Sequence, residues 1–250
     1  MNYKYLLASF LVLLIGCEQP APLTFENIHL SLIDDPDCSS QPCPIIDIDY
    51  PVALGEDEVS ISISTGLENR IIESFQINPD GPKANTVEDA IAQFTQGYRA
   101  DKAEFPDMNA QYEVSIILEE SFRNEKLICF RQGDFKYTGG AHGNGVTLYQ
   151  YFDLQSGQEF EFDKLIADRD GLANLAEEKF RAKFNIGPSE SINSPGFWFE
   201  EELFALPETF GLEEDQLMLV YNTYEIASYA DGTVEVAIPL NEVSEYLNLE

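Results

Sequence analysis

The chain has 250 residues, of which 45 are acidic and 14 are basic, so its formal net charge is −31 at pH 7. This charge excludes nucleic acid and anionic lipid surfaces as favoured partners, and it favours basic proteins or cationic ligands. Hydrophobic residues make up 44% of the chain, which is enough for one or two buried cores and excludes disorder beyond an N-terminal tether.

The first 16 residues have the pattern of a secretory signal peptide. Lys4 precedes an apolar run from Leu6 to Ile15, and Gly16 and Cys17 complete the order that a lipoprotein signal peptidase requires. The run is shorter than the roughly 20 apolar residues of a membrane-spanning helix. We therefore predict cleavage before Cys17, acylation of Cys17, and a domain outside the cytoplasm, periplasmic or surface-exposed, that is anchored to a membrane without spanning it.

Residues 17–38 are predicted to form a tether between the anchor and the folded part. Four residues separate Cys38 from Cys43, and Pro36 and Pro44 flank this pair of cysteines. In an oxidising compartment this spacing indicates a local disulfide bond. A structural zinc site would need a second cysteine pair. Ile45–Ile48 then alternates apolar and acidic residues, which predicts a first strand or extended segment.

Two helices are predicted next. From Glu56 to Phe75 the apolar positions recur every four residues, which is typical of a helix face, although Val59–Ile63 alone alternates as a strand does. The second helix begins at Thr86, whose side chain is placed to cap it, and stops before Pro106.

Beyond Pro106 the period changes to two, which predicts strands. Residues 112–118, 127–130 and 146–152 should form an antiparallel meander with one buried face, which Phe160 and Phe162 extend. Cys129 lies in the second of these apolar runs, so we predict a buried free thiol.

The rest of the chain is predicted to contain one long helix, three strands and a short final helix. The long helix begins at Asp170 and is closed by Asn185 and Gly187, with cations in its last turns. Residues 189–198 should form a loop, and strands are expected at 203–206, 216–221 and 234–238, with a turn around Gly211 and a final helix opened by Pro239. These elements predict the α+β class, with antiparallel sheets and packed helices in two consecutive subdomains, residues 39–135 and 136–250.

The segment Tyr137–Gly145 contains four glycines and one of the two histidines in the chain. The glycines at 139, 140 and 143 would allow positive φ in a tight connection between strands, with His142 capping the loop by hydrogen bonds. The alternatives for His142 are contact with a ligand and general acid–base catalysis. Catalysis would need a partner that orients the imidazole, for which Glu225 and Asp231 are candidates.

Three blocks of sequence resemble one known family. Tyr137–Gly145, together with Phe152–Gln158 and Phe162–Leu165, is similar to a glycine-histidine signature, and Tyr221–Gly232 with Ile238 and Pro239 is similar to a second signature. Both belong to a family of bacterial extracytoplasmic domains of unknown function that is found C-terminally in RsiV, the lysozyme-sensing anti-sigma factor. Residues 40–135 resemble the companion domain shared by RsiV and the peptidoglycan deacetylase PdaC.

The resemblance implies a fold and an extracytoplasmic binding role. Because a lipobox stands in place of a transmembrane helix, anti-sigma activity is not expected, and the catalytic domain of PdaC has no counterpart in the sequence. The residues that we predict to contact a ligand are Tyr137, Gly139, Gly140, His142, Asn144, Trp198, Tyr224, Glu225 and Tyr229. Trp198 is included because aromatic side chains in a loop can stack on a sugar ring or anchor a protein partner, although burial in the core is the alternative.

By the resemblance, a basic protein such as lysozyme is the leading partner, and a cell-wall glycan is the other candidate. The acidity of the chain suits a basic partner, but it could equally keep an exported protein soluble. The alternatives to a binding module are an enzyme that modifies peptidoglycan or another glycan with His142, and a structural lipoprotein without a ligand. No cofactor is expected. No metal site is expected either, because His29 and His142 lie in different predicted subdomains and form no histidine pair at metal spacing.

Overall fold

The computed structural model describes residues 23–33, 35–78 and 81–249. The predicted signal peptide, Cys17 and residues 18–22 of the predicted tether lie outside these ranges. The expectation of a tether is wrong for Thr24–Ser31, which forms a strand of the larger sheet. The described residues form a six-stranded sheet, a three-stranded antiparallel sheet and four α-helices, which confirms the α+β class. Within these ranges, none of the helices combines the length and the apolar composition that a membrane crossing requires.

The strands of the larger sheet lie in the order in which they occur along the chain. They are β1 (Thr24–Ser31), β2 (Ile45–Leu54), β3 (Glu113–Arg123), β4 (Leu127–Tyr137), β5 (Asn144–Asp153) and β6 (Glu159–Phe160). Neighbouring strands are antiparallel except β2 and β3, which are parallel because two helices carry the chain back between them. The predicted boundary between residues 135 and 136 falls inside β4, and the sheet continues beyond it.

The two predicted helices between β2 and β3 are confirmed as α1 (Glu58–Phe75) and α2 (Val87–Glu104). Asp57 caps α1 and Thr86 caps α2, each by accepting backbone N–H bonds in the first turn. Their apolar stripes cover one face of the larger sheet, here called the inner face. The core between them includes Ile48, Ile63, Leu67, Ile71, Phe94, Ile116 and Phe130.

The second half of the chain builds its core against the opposite, outer face of the larger sheet. Its elements are α3 (Arg169–Phe184), β7 (Thr209–Glu213), β8 (Gln216–Tyr221), β9 (Val234–Pro239) and α4 (Leu240–Val243), and the last three strands form the smaller sheet. Asn185 ends α3 with φ 56°, as a left-handed cap. Phe180 of α3 lies at the centre of this core, where it contacts Phe199 and Tyr221.

The expectation of a meander with one buried face is wrong for β4 and β5. In β4, Ile128 and Phe130 face the core under α1 and α2, whereas Leu127 and Cys129 face the core of the second half. A strand that is covered on both sides has apolar residues at successive positions, which is why Leu127–Phe130 is uninterrupted. These central strands therefore hold the two halves of the molecule together.

Gly211 was expected in a turn, but it lies in the middle of β7, and the turn is at Glu214 and Asp215. A Cβ atom on Gly211 would lie 2.2 Å from the Cζ atom of Tyr149 in β5. The glycine is therefore required for the close approach of the two sheets rather than for a change of direction.

The strand expected at residues 203–206 is also wrong, because this segment is irregular. Phe204 packs without strand pairing, with its ring 5.5 Å from that of Phe199. Leu203, in contrast, is 65% exposed. An apolar tetrapeptide that packs as an irregular segment cannot be distinguished from a short strand by its pattern alone.

The cysteines occupy two different environments. Cys38 and Cys43 form a disulfide bond in the short segment between β1 and β2. Cys129 is a buried free thiol, and burial raises the pKa of this thiol to about 11, so it is protonated at neutral pH.

Candidate functional site

The glycine-histidine segment connects β4 to β5. Gly139 and Gly140 have φ of 96° and 90°, which glycine adopts without strain. Gly143 does not share this conformation, so that part of the expectation is wrong. It is buried, and a Cβ atom there would lie 2.4 Å from the ring of Phe135, so this glycine allows close packing.

The imidazole of His142 is exposed and makes three defined contacts. Its Nδ1 atom lies 2.9 Å from the carbonyl oxygen of Gly143, and its Nε2 atom lies 3.2 Å from the hydroxyl of Tyr224. Because a carbonyl oxygen only accepts, this pattern assigns the proton to Nδ1 and leaves Nε2 to accept from the Tyr224 hydroxyl. The ring also stacks on Tyr229, with centroids 3.6 Å apart and an interplanar angle of 17°.

These three side chains are called the aromatic platform below. Tyr224 and Tyr229 both come from the loop between β8 and β9, so the platform joins the larger sheet to the smaller one. Tyr224 is 54% exposed and has φ 71°, a left-handed conformation that is costly for a residue with a side chain. Local strain of this kind is concentrated at sites of recognition and catalysis.

Two devices hold the β8–β9 loop in place. Asn222 makes a pair of hydrogen bonds with the backbone of Thr147 in β5: its amide oxygen accepts at 2.8 Å and its amide nitrogen donates at 3.0 Å. Tyr229 begins a short 3-10 turn that Ser228 and Asp231 close as a capping box. The platform is therefore built on backbone that is fixed to both sheets.

Glu225 does not orient His142, although the sequence suggested it as a partner. Its carboxylate accepts from the backbone N–H groups of Glu208 and Asn222, at 3.0 and 2.9 Å. Burial raises the pKa of Glu225, and these two hydrogen bonds oppose the shift. Asp231 is likewise engaged by Ser228. Both carboxylates thus stabilise the loop, and neither provides the imidazole with a catalytic partner.

The remaining predicted contact residues surround the platform with different roles. The hydroxyl of Tyr137 donates to the carbonyl oxygen of Gly140, 3.2 Å away, and so closes the glycine loop on itself. Asn144 accepts a long hydrogen bond of 3.5 Å from Thr223. Trp198 is 52% exposed, and its backbone N–H donates to Ile226 in the β8–β9 loop, which places this tryptophan segment next to the loop of the platform.

An acidic groove between the two sheets was not found from the sequence. It has a volume of about 540 Å³ and is lined by Glu119, Glu120, Glu213, Glu214, Asp215, Glu235 and Arg131, among others. Arg131 lies 3.3 Å from Glu213, whose carboxylate also accepts from the hydroxyl of Tyr149. The lining comes from five strands and the turn between β7 and β8, so no local pattern in the sequence indicates it.

The platform is suited to recognition. Exposed aromatic rings with hydroxyl and imidazole groups can stack on sugars or planar cations while donating and accepting hydrogen bonds. A hydrolytic site of the nucleophile–base–acid kind would need an oriented carboxylate next to the imidazole. Among the described residues, the hydrogen-bond partners of the His142 ring are Gly143 and Tyr224.

Comparisons with known proteins agree with this architecture. Residues 162–241, which include Trp198, Tyr224 and Tyr229, match the model of a family described as "Protein of unknown function (DUF3298)". A member of the DUF3298 family from Bacteroides fragilis NCTC 9343 superposes with a TM-score of 0.71 at 22% identity, over 91% of this chain and 94% of that one. A DUF3298 family protein from Pseudomonas aeruginosa PAO1 has a TM-score of 0.62 at 16% identity, over 94% of this chain and 97% of that one.

No curated protein matches the chain. At these identities the two solved structures establish a common fold and no activity. Their superposition extends over most of the chain, well beyond the segment that matches the family model. Residues 162–241 therefore match the DUF3298 family model, and they lie within a larger fold that the chain shares with both of these proteins.

Proposed function

We propose that this protein is a lipid-anchored, extracytoplasmic binding protein that recognises its ligand through the aromatic platform. The observation that carries the proposal is the contact of His142, from one sheet, with Tyr224 and Tyr229, from the loop of the other. The three rings are pre-positioned by backbone hydrogen bonds, so binding would cost little ordering of side chains. The left-handed conformation of Tyr224 supports a role in recognition, because such strain persists where function requires it.

The anchor is supported by the apolar run from Leu6 to Ile15 and by Gly16 and Cys17, which follow it. Metabolic labelling with a radioactive fatty acid tests it: the wild-type protein should carry the label and be recovered with membranes. Cys17→Ala should lose both properties. A Cys17→Ala protein that still carries the label would refute the anchor.

The partner that we favour is a basic protein of the lysozyme type, with a cell-wall glycan as the other candidate. The net charge of −31 would steer a basic protein toward the surface, and the acidic groove supplies local negative potential. The resemblance to the C-terminal part of RsiV, the lysozyme-sensing anti-sigma factor, also favours a lysozyme-like partner. Attraction of this kind weakens with salt because counterions screen exposed charges.

Calorimetry of residues 18–250 with lysozyme, at low and at high salt, tests the partner. We expect binding that is tighter at low salt, and a loss of about 30-fold on changing Tyr224 or His142 to Ala if both are central contacts. Ile61→Ala, at an exposed position on α1, is the control and should bind as the wild type does. No heat at any salt concentration with folded protein would refute the lysozyme partner, and wild-type binding by both platform variants would refute the platform.

One observation favours an enzyme as the second candidate: in the tautomer assigned above, Nε2 of the exposed His142 is the unprotonated ring nitrogen, and it accepts a hydrogen bond from a phenol hydroxyl. A glycan-modifying enzyme could use this nitrogen as an acid or a base. Incubation of wild type and His142→Ala with peptidoglycan fragments distinguishes the two proposals. Product that is released only by the wild type would favour catalysis over simple binding.

A further inference from the structure

A second group of side chains with ligand chemistry lies away from the aromatic platform, on β1 and β2. His29 pairs directly with Asp49 across the two strands, and Asp47 lies two residues before Asp49 on the same face. Ile46 and Ile48, which alternate with these two aspartates along β2, are buried on the inner face. Because side chains alternate along a strand, the two carboxylates and the imidazole must all project from the outer face.

The three side chains lie at distances that a metal ion can bridge. The Nδ1 atom of His29 lies 3.0 Å from a carboxylate oxygen of Asp49 and 3.7 Å from one of Asp47. One ligand atom from each residue can be chosen so that all lie within 4.8 Å of one another. Ligands bound about 2.0–2.2 Å from a tetrahedral metal are about 3.3–3.6 Å apart, so His29 and the two carboxylates need shift little to coordinate one.

We propose that His29, Asp47 and Asp49 bind a divalent transition-metal cation of the Zn²⁺ class. One imidazole nitrogen and two carboxylate oxygens form a mixed ligand set, which suits zinc and its neighbours better than calcium or magnesium, whose ligands are oxygen atoms. All three side chains are more than half exposed, so water can complete the coordination. The site differs from the pattern that the sequence excluded, because it uses one histidine with two carboxylates instead of a histidine pair.

The chemistry of binding involves a proton. Without metal, the Nδ1 atom of His29 is within hydrogen-bond distance of Asp49, and a neutral ring holds the shared proton on Nδ1 because the ionised carboxylate only accepts. To bind a cation, Nδ1 must present its lone pair, so the proton moves to Nε2, or leaves if the ring was doubly protonated.

The composition of the chain makes the test specific, because it contains only two histidines. The full chain without a polyhistidine tag, labelled with ¹⁵N at histidine, should be titrated with Zn²⁺ and followed by NMR. We expect the ring nitrogens of His29 to shift and those of His142 to stay, because among the described residues His29 has two carboxylates within reach of a shared cation and His142 belongs to no such group. Calorimetry in parallel should show one zinc site per chain.

Variants complete the test. His29→Asn and the double change Asp47→Asn with Asp49→Asn should each reduce zinc affinity by at least about tenfold, since loss of even an outer partner of a metal ligand has that effect. The control is Glu200→Gln with Glu201→Gln, an exposed pair that removes the same charge. Wild-type affinity in both site variants, an equal loss in the control, or a response of His142 alone would overturn the proposal. Circular dichroism of each variant identifies any that fails to fold, and the NMR result on the wild type stands without them.

Discussion

Gly211→Ala tests the physical account of how the two sheets approach each other. The added Cβ atom would lie 2.2, 2.4 and 2.6 Å from three ring atoms of Tyr149, each about 1 Å closer than normal contact. The ring cannot simply turn aside, because its hydroxyl donates to Glu213 at 2.5 Å and the ring is packed against the core of the second half. Either the sheets separate or the tyrosine leaves its place.

The magnitude follows from these two consequences. Overpacking of a buried site costs about 1–3 kcal/mol, and loss of the Tyr149 hydrogen bond to a charged carboxylate adds about 1.5 kcal/mol. A small gain from restricting the unfolded chain offsets part of this. We expect the free energy of unfolding to fall by about 3 kcal/mol, measured as a lower urea midpoint.

Gly97→Ala is the matched control, because nothing lies within 4 Å of the position where its Cβ atom would be, on α2. It should raise the free energy of unfolding by about 0.5–1 kcal/mol through helix propensity. Adding Tyr149→Ala to Gly211→Ala should recover part of the loss, because the two effects are coupled through one contact. If Gly211→Ala is as stable as the wild type, the steric explanation for this glycine is refuted.

Three further changes have defined outcomes. Burial raises the pKa of Asp134, so its contribution to stability is greatest below the ordinary range of an aspartate and is lost as the pH rises through the raised pKa. The urea midpoint of Asp134→Asn should therefore increase relative to that of the wild type as the pH rises above the ordinary range of an aspartate, and parallel pH profiles would contradict this. Replacing Cys38 and Cys43 with Ser should lower the free energy of unfolding by about 2 kcal/mol, because the disulfide bond no longer restricts the chain entropy of this short loop in the unfolded state. An unchanged urea midpoint would contradict this. Tyr224→Gly should raise the thermal midpoint, because glycine adopts without strain the left-handed conformation that costs tyrosine about 1 kcal/mol. The same change should weaken ligand binding in calorimetry. A lower thermal midpoint would show that the contact with His142 contributes more to stability than the strain costs.

Local features of the fold could be predicted from the sequence. The helices were found because their four-residue periodicity and their capping residues, such as Thr86, act within one or two turns. Strand β3 was found from its alternation of apolar and polar residues, and β4 and β5 were found from the apolar runs at 127–130 and 146–152. The parallel pairing of β2 with β3 could not be found, because its register depends on how two intervening helices pack.

The sites illustrate the same limit. Tyr137–Gly145 was chosen for its glycines, but the partners of His142 in the β8–β9 loop were suggested only by family resemblance. Glu225 was chosen with them, yet it binds backbone N–H groups, a role that residue type alone cannot distinguish from ligand contact. His29 was set aside because it forms no pair at metal spacing with His142. The carboxylates near it lie on another strand, and only the pairing of β1 with β2 brings them together.

The parallel pair also has a consequence for the order of folding. Strands β3 to β6 are joined by short connections, so their pairing closes small loops, whereas β2 can meet β3 only after a segment that contains both α1 and α2 has been brought back on itself. Closing the longer loop costs more chain entropy before any contact compensates for it. We therefore expect the meander to form first and the β1–β2 hairpin to dock last, so that under native conditions this N-terminal hairpin is the part of the larger sheet that opens most readily to solvent.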